Sequence, residues 1–525
     1  MTRPDRSWWL GALALAACSG EAAPTAPTAP TGMNPPAYAA LGAATQDGGA
    51  PLPAPRGDGT LRVRVHDDRD QPVPCRLTFA GVGRTPTPRF TTTDIGREQQ
   101  GGILAFDRAF LLDDAELELP VGEYDVWVSH GPEWDIATRR VTIATGAPAT
   151  LTATLRHVVD TSGWISGDFH VHAEESSDSR VPMRDRVHQF VADGVDLIVA
   201  TDHNVIADYA PIIDELRQGA RLASLQGDEI TTRDWGHFGA FPLPADEAEA
   251  GHGAIPVKGH TPADLFADVR RLAPDAIIDI HHPRLDDGQI GYFHLGKLDP
   301  LTLRAARPGF SLDFDAIEVL NGYQDADRKS LALVLEDWFA FLRHGRRVTA
   351  TGNSDTHHLT YNLGGYPRNY VQVADDRPDH LDPAALVAAV KAGRAYFTTG
   401  PIVDVSVGAA GLGDTVVATR GAVAVHVRVR APAWIAVDRI TILRDGAVVE
   451  RRTSTRRDPA DPVRFDETIT VPVKRDGFLV VRVDGDRSMA PVIGDAARFP
   501  VFPLAITNPI WVDADGDGAI TPGER

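Results

Sequence analysis

Two periods of hydrophobic patterning divide this chain. Between Thr60 and Leu155 apolar and polar residues alternate, as in Leu61-Arg62-Val63-Arg64-Val65, Leu117-Glu118-Leu119 and Tyr124-Asp125-Val126-Trp127-Val128, with Gly and Pro turns between the runs. A period of two places one face of each strand in a core, so a β-sandwich is expected over residues 59–158. After Trp164 the period changes. Short apolar runs (Leu197-Ile198-Val199-Ala200, Ala276 to Ile280, Ala316 to Leu320, Val348-Thr349-Ala350) alternate with amphipathic stretches (Met183 to Ala192, Pro262 to Leu272, Arg328 to Arg343). Strands spaced by helices imply parallel pairing through βα crossovers, and the number of units favours an α/β barrel over residues 159–403. In such barrels the site lies at the C-terminal ends of the strands. Alternation returns in Ala424-Val425-His426-Val427-Arg428-Val429 and Phe478-Leu479-Val480-Val481-Arg482-Val483, predicting a second β-sandwich over residues 404–509.

The ends of the chain read differently. Arg3 and Arg6 precede an apolar run from Trp8 to Ala17, and Leu15-Ala16-Ala17-Cys18 resembles a bacterial lipobox, so residues 1–18 are expected to be a lipoprotein signal with Cys18 lipidated. The run is far shorter than the roughly 20 residues that span a bilayer. Ser19 after the cysteine resembles the outer-membrane sorting rule, which puts the protein in the cell envelope, lipid-anchored and facing the periplasm or the surface. Residues 19–58, including the PTAPTAPTG repeat, are too poor in large apolar groups to offset their ordering entropy and read as a tether. Only Cys75 remains after Cys18, which excludes an intrachain disulfide framework in the mature chain.

With 525 residues, several domains are expected. Hydrophobic residues at 43% and charged residues at 24% are ordinary globular values. A net charge of −20 argues against a broad nucleic-acid-binding surface and against adhesion to an acidic membrane face. A small anionic substrate stays open, drawn by metal ions and local arginines.

The candidate chemistry lies in the central segment, where all but three of the 18 histidines fall between His157 and His380. His170 and His172 are two apart on a strand and so share a face, able to grip one ion. Asp178 follows in a Ser-rich loop, Asp202-His203 ends the next strand, and Glu229 and Gly236-His237 come after a further short run. His281-His282-Pro283 and Asp355-Thr356-His357 close the series near strand ends. Imidazole suits zinc, manganese or iron, and carboxylate suits the harder of these and can bridge two ions. His282, and as an alternative His281, is a candidate ligand, since the two point to opposite faces of a strand. Asp202 reads as a partner that orients a ligand histidine.

The ordered set HxH, TDH, a lone Glu, GH, HP and SDxH resembles the PHP (polymerase and histidinol phosphatase) superfamily. The flanking sandwiches, the Gly393 to Pro401 segment and the Asp-rich tail resemble its CehA/McbA-like branch, named for carbaryl-type hydrolases. The resemblance implies a distorted (βα)7 barrel, flanked by the two sandwiches, with two or three divalent transition-metal ions (Mn, Zn or Fe). One ion would take His170, His172, Glu229 and Asp355; a second would share Glu229 and add His237 and His282; a third would take Asp178, His203 and His357. The implied activity is a metal-dependent hydrolase, first a phosphoesterase acting on a small or nucleotide-like phosphoester through a metal-bridged hydroxide. Glu229 would bridge, Asp202 or His203 would manage the proton, and Arg284 and Arg394 could hold a phosphate through paired donors. A carboxyl or carbamate ester hydrolase is the alternative within enzymes. A non-catalytic surface binding protein is the alternative outside them.

In residues 510–525, Asp513, Asp515, Asp517, Gly518 and Glu524 match the spacing of a calcium loop of EF-hand type. The entering segment reads as a strand, so a structural calcium loop is expected rather than a sensor. An acidic solvated tail is the plainer alternative.

Overall fold

The computed structural model describes residues 57–285, 291–322, 325–360, 363–454, 458, 460–495 and 499–520, with side chains of 325–329 excepted. The signal expectation, Cys18, the tether up to residue 56 and Glu524 lie outside the described residues.

In the first domain, β1 (Gly59–His66) buries Leu61, Val63 and Val65 and exposes Arg62 and Arg64. With β2 (Cys75–Gly81), β3 (Arg97–Ala105), β4 (Arg108–Leu119), β5 (Gly122–Ser129), β6 (Ala137–Ile143) and β7 (Ala149–Thr154) it forms one sheet, ordered β6-β5-β2-β4-β1-β7 with β3 on β4. The 12-residue β4 serves both halves: its start pairs with β2 and its end with β1. The sheet therefore curls over one core, containing Leu61, Leu77, Leu117, Val126 and Leu151, and its end strands β6 and β7 meet.

The central domain contains β8 (Trp164–Val171), β9 (Leu197–Ala200), β10 (Ala223–Gln226), β11 (Asp228–Thr232), β12 (Gly236–Phe241) and β13 (Ile277–His281). A short ribbon, β14 (Leu298–Asp299) with β15 (Arg304–Ala305), precedes β16 (Ala316–Asn321), β17 (Thr349–Asn353), β18 (Arg368–Gln372) and β19 (Ala395–Thr398). The helices are α1 (Met183–Ala192), α2 (Ala210–Glu215), α3 (Pro262–Leu272), α4 (Tyr292–Leu295), α5 (Asp325–Arg343) and α6 (Pro383–Lys391). Their starts follow local chemistry. Thr261 and Asp264 form a reciprocal capping box ahead of α3, with Pro262 in its first turn and Arg270 and Arg271 in its last. Asp382 caps α6 ahead of Pro383. Strands β13, β16 and β17 are buried along their whole length, as strands covered on both faces must be.

Strands β11-β12-β13-β16-β17 form one sheet, and β8, β9 and β10 belong to another. Two isolated parallel bridges bring these sheets together, Val171 to Thr356 and His203 to Glu229, so seven strands nearly close a ring. Pairing is parallel for β8-β9, β13-β16 and β16-β17, but β12 is antiparallel to both β11 and β13. The parallel pairing expected from the βα pattern is thus interrupted. Only three residues separate β11 from β12, a connection too short for a crossover and long enough for a reversal.

The third region holds β20 (Ile402–Val407), β21 (Thr415–Val417), β22 (Ala422–Arg430), β23 (Arg439–Arg444), β24 (Ala447–Thr453), β25 (Val463–Pro472) and β26 (Gly477–Asp484). A ribbon of β27 (Gly494–Asp495) and β28 (Phe499–Pro500), then β29 (Leu504–Thr507) and β30 (Ile510–Asp513), complete it. Sheet β20-β22-β25 shares a core with β23, β26 and β30, including Val425, Val427, Ile442, Val481 and Val512. There is no break in the sheet at residue 404: β19 pairs with β29, which pairs with β26, so the central sheet continues into this region. Among the described residues no helix is long and apolar enough to cross a membrane.

The first domain is fastened to the other two by a buried charge pair. Arg76 of β2 lies 2.6 Å from the Asp193 carboxylate just after α1, both without solvent exposure, and also donates to the Val492 carbonyl at 2.9 Å. Removing one partner leaves an unpaired charge in the interior. Arg76→Met should therefore cost about 3–5 kcal/mol of unfolding stability, read as a lowered denaturant midpoint. The double variant Arg76→Met/Asp193→Asn should recover most of it; equal losses in both would sink the pairing argument.

Candidate metal centre

Strand ends place the side chains. His170 and His172 leave the end of β8 on one face, Glu229 sits in β11, His237 in β12, and His282 follows β13. Asp355 and His357 follow β17, while Asp178 and His203 come from the loops after β8 and β9. Two of these positions have backbones that side-chain-bearing residues seldom adopt: φ is 27° at His282 and 52° at Asp355. Such conformations cost on the order of 1–3 kcal/mol each and persist where the surroundings enforce them.

The donor atoms converge. His170 Nε2 lies 3.0 Å from Glu229 and 3.2 Å from Asp355 Oδ1, and His172 Nε2 lies 3.2 Å from the same Asp355 oxygen. Glu229 Oε1 is 3.3 Å from both His282 Nε2 and His237 Nδ1, and Oε2 is 2.6 Å from His203 Nδ1. Asp178 Oδ2 is 3.0 Å from His203 Nε2 and 3.2 Å from His357 Nε2. Four groups follow: His170, His172 and Asp355; His170, Glu229 and His282; His203, Glu229 and His237; and His172, Asp178, His203 and His357. The structure thus brings together every histidine and carboxylate expected as a transition-metal ligand, with Glu229 common to the second and third groups and His170, His172 and His203 each belonging to two.

These residues fit divalent ions on their own geometry. Atoms bonded at about 2.0–2.2 Å to one ion stand about 3.0–3.4 Å apart in octahedral or tetrahedral arrangement, the spacing of most of these pairs. Despite that closeness, His170 Nε2, His172 Nε2, His237 Nδ1 and Glu229 Oε2 make no hydrogen bond while buried. Buried polar atoms are rarely left so. The opposite ring nitrogens are engaged: His170 Nδ1 with Glu318 at 3.0 Å, His172 Nδ1 with the Ser176 hydroxyl at 3.1 Å, and His357 Nδ1 with the Asp355 carbonyl at 2.9 Å. That turns each Nε2 lone pair inward, as metal-binding histidines require.

Charge in the cluster is divided unevenly. Burial opposes ionisation throughout, yet the imidazoles around Glu229 hold its carboxyl well below the usual range, and His170 does the same for Asp355. Burial also works against the His203 cation, but Glu229 and Asp178 outweigh it and raise the ring to about 11. His172 goes the other way, lowered by burial and by the charge of His357.

Several residues have roles other than those expected. Arg284 donates to both oxygens of Asp337, at 2.7 and 3.0 Å, so its fork is engaged in a structural pair. Arg394 lies beside Gln372, which pairs with Trp164 at the end of β8 opposite His170, because β18 is antiparallel to β8 and β19 is antiparallel to β18. Asp202 accepts from the Ala173 N–H at 2.7 Å; it fixes the chain after His172 and does not hold an imidazole. His281 stacks on His170 at 3.6 Å and places Nδ1 3.0 Å from Glu229 Oε1; burial pushes it down to about 4, so it serves as a neutral donor. Gly239 makes room for that ring, since a Cβ there would come 2.2 Å from His281 Nε2.

Two contributors escaped the sequence reading. Glu318, the one charged residue in the apolar run of β16, accepts from the His282 N–H at 2.7 Å as well as holding His170; a carboxylate inside a fully buried strand was the available signal. Arg186 of α1 is wholly buried and donates to the carbonyls of His172, Thr356 and His358, tying the two ligand-bearing segments together. Nothing in an amphipathic helix pattern marks such a residue.

In the C-terminal loop, Asp513 is buried and accepts from the N–H groups of Gly516 and Gly518 at 2.6 and 2.9 Å. Asp515 and Asp517 instead gather with Asp476, from the turn between β25 and β26. The loop geometry therefore places Asp513 as an internal cap rather than in that cluster.

No family model and no curated protein matches the sequence. Among solved structures, an engineered protein crystallised at 1.98 Å is 12% identical over 70% of this chain, with a TM-score of 0.14; this chain spans 64% of that one.

Two outcomes follow from the geometry. Glu318→Ala should weaken divalent-metal affinity about 10- to 100-fold by freeing the His170 ring, and an unchanged titration curve would remove Glu318 from that role. Ligation needs neutral imidazole, whereas His203 is held protonated to about 11 in the ion-free protein. Metal binding at pH 8 should therefore release protons, and affinity should rise with pH. Calorimetric titrations in buffers of different ionisation enthalpy measure this; zero release would exclude His203 as a ligand.

Proposed function

We propose that this chain is a multinuclear metal-dependent hydrolase, and within that class a PHP-type phosphoesterase of the cell envelope. One observation carries the reading: a fully buried carboxylate, Glu229, shared by imidazoles from separate strands, among which His170 Nε2, His172 Nε2 and His237 Nδ1 are buried without a hydrogen bond. A structural site usually holds one ion in a closed tetrahedral shell. Here four overlapping groups share ligands, which supports catalysis over a non-catalytic binding role. When bound, adjacent divalent ions acidify a water and stabilise charge on the attacking and leaving oxygens.

The residues of the chain supply the rest. His170, His172 and Glu229 have no solvent exposure, whereas Asp178 is 44% and His237 27% exposed, so substrate approaches over Asp178 and His237. Glu318 and Ser176 hold the His170 and His172 rings in fixed tautomers. His203 stands between Asp178 and Glu229 beside the open side, where it would serve as a ligand to a bound ion.

A carboxyl or carbamate ester hydrolase is the second reading. It gains from the engagement of Arg284 by Asp337 and from the remoteness of Arg394, which leave neither arginine to hold a phosphate. Purified full-length protein, assayed with manganese on phosphomonoester, phosphodiester and carboxyl-ester chromogens, separates the two. Glu229→Gln should lower turnover at least 100-fold, as expected when a group central to transition-state charge is lost. Full activity in that variant would sink the bridging role, and activity confined to carboxyl esters would replace the first reading by the second.

A further inference from the structure

The first domain reaches the ligand segment that follows β17. Asp94, just before β3, places Oδ2 2.8 Å from His358 Nδ1 and Oδ1 3.3 Å from the Leu359 N–H. Nearby, the Gly96 N–H donates to Asp185 of α1 at 2.6 Å, and Glu98 lies 3.7 Å from Arg184 of the same helix. The Leu359 side chain is buried with Ile103 and Phe110 of the first domain and Val181 and Ala192 of the central one. Gln189 of α1 donates to the Leu359 carbonyl at 3.1 Å.

Residues 355–359 are thus gripped from two sides. Arg186 holds the Thr356 and His358 carbonyls from within the central domain. Asp94 holds the His358 ring and the next amide from the first domain. Between these grips lies His357, whose Nε2 is 3.2 Å from Asp178. The other ligands are steadied elsewhere: His170 by Glu318, His172 by Ser176, and Asp355 by the Asn321 amide at 3.0 Å.

We propose that Asp94 is a positioning residue for the Asp178, His203 and His357 group, which makes the first domain a working part of the metal centre. The inference rests on the multinuclear reading above. Its mechanism is geometric. Without Asp94 the loop end after His357 loses the charged anchor that the first domain provides, and the imidazole samples rotations that turn Nε2 away from Asp178.

The test is a manganese(II) titration of the metal-stripped full-length chain, read as ions bound per chain and as stepwise affinity. In Asp94→Ala one binding step should weaken about tenfold, the low end of what losing a group that orients a ligand costs. The remaining steps and the unfolding midpoint of the stripped protein should stay unchanged. Asp94→Asn keeps an acceptor oxygen and should fall between wild type and Asp94→Ala. A variant isotherm superimposable on wild type would overturn the proposal, as would an equal weakening of every step together with a lowered midpoint. A wild-type chain that binds a single ion would instead remove the multinuclear reading itself, and that is seen before any substitution is made.

Discussion

A single buried carboxylate organises the centre of this protein. Glu229 has no contact with solvent, yet the rings of His170, His172, His203, His237, His281 and His282 all stand within 2.6–3.7 Å of its oxygens. An isolated carboxylate at such depth would be strongly disfavoured, and one histidine would suffice to neutralise it. Six cannot all be charged around one acid, and they cannot all be satisfied as neutral rings either. Their nitrogens are directed at a shared volume in a way that compensates poorly without cations. The same residue also completes the ring of strands, since the His203 to Glu229 bridge is one of the two places where the sheets join.

That arrangement demands stiffness around it. Asp168, buried beneath His170, accepts from the N–H groups of Ser354 and Gly365, stitching β8 to the segments after β17. Asn508, beyond β29, bonds the Ala350 N–H and carbonyl and so carries the third region into the barrel wall. Arg186 performs the same service at the mouth, its guanidinium donating to backbone carbonyls, the Gln189 side-chain oxygen and the hydroxyl of Thr356. The positive φ values at His282 and Asp355 are tolerable because these cross-ties leave the backbone no relaxed alternative. Stability and site geometry are the same set of bonds here.

Much of this was written in local pattern. The amphipathic stretch of residues 183–192 is α1, the apolar run at 197–200 is β9, and HxH spacing at the end of a buried strand leads to two inward rings, because strand geometry allows little else. What local pattern does not encode is which strand neighbours which. The reversal at β12, the remote position of Arg394 and the capture of Arg284 by Asp337 on α5 all depend on pairing between segments distant in sequence. Arginine near a motif is a poor guide for that reason: its reach of several ångströms lets any neighbouring carboxylate claim it. Glu318 stands between these cases, visible as a charge out of place in an apolar strand but assignable only once His170 is seen beside it.

The uneven exposure of the donor atoms bears on what the site can accept. Residues at the closed end, His170, His172 and Glu229, are dry, and their field is screened little by solvent. Asp178 and His237 border water. With Arg284 paired and Arg394 at the far end of β8, neither arginine is placed to recognise a phosphate, so an anionic substrate would have to be held by the cations of the centre against a chain of net charge −20. Long-range attraction then works against an anion, while short-range attraction at the mouth works for it. A hydrolase built on this centre would favour substrates that bring an oxygen directly to bound ions, whether from phosphorus or from a carbonyl, over those that depend on charge alone to be drawn in.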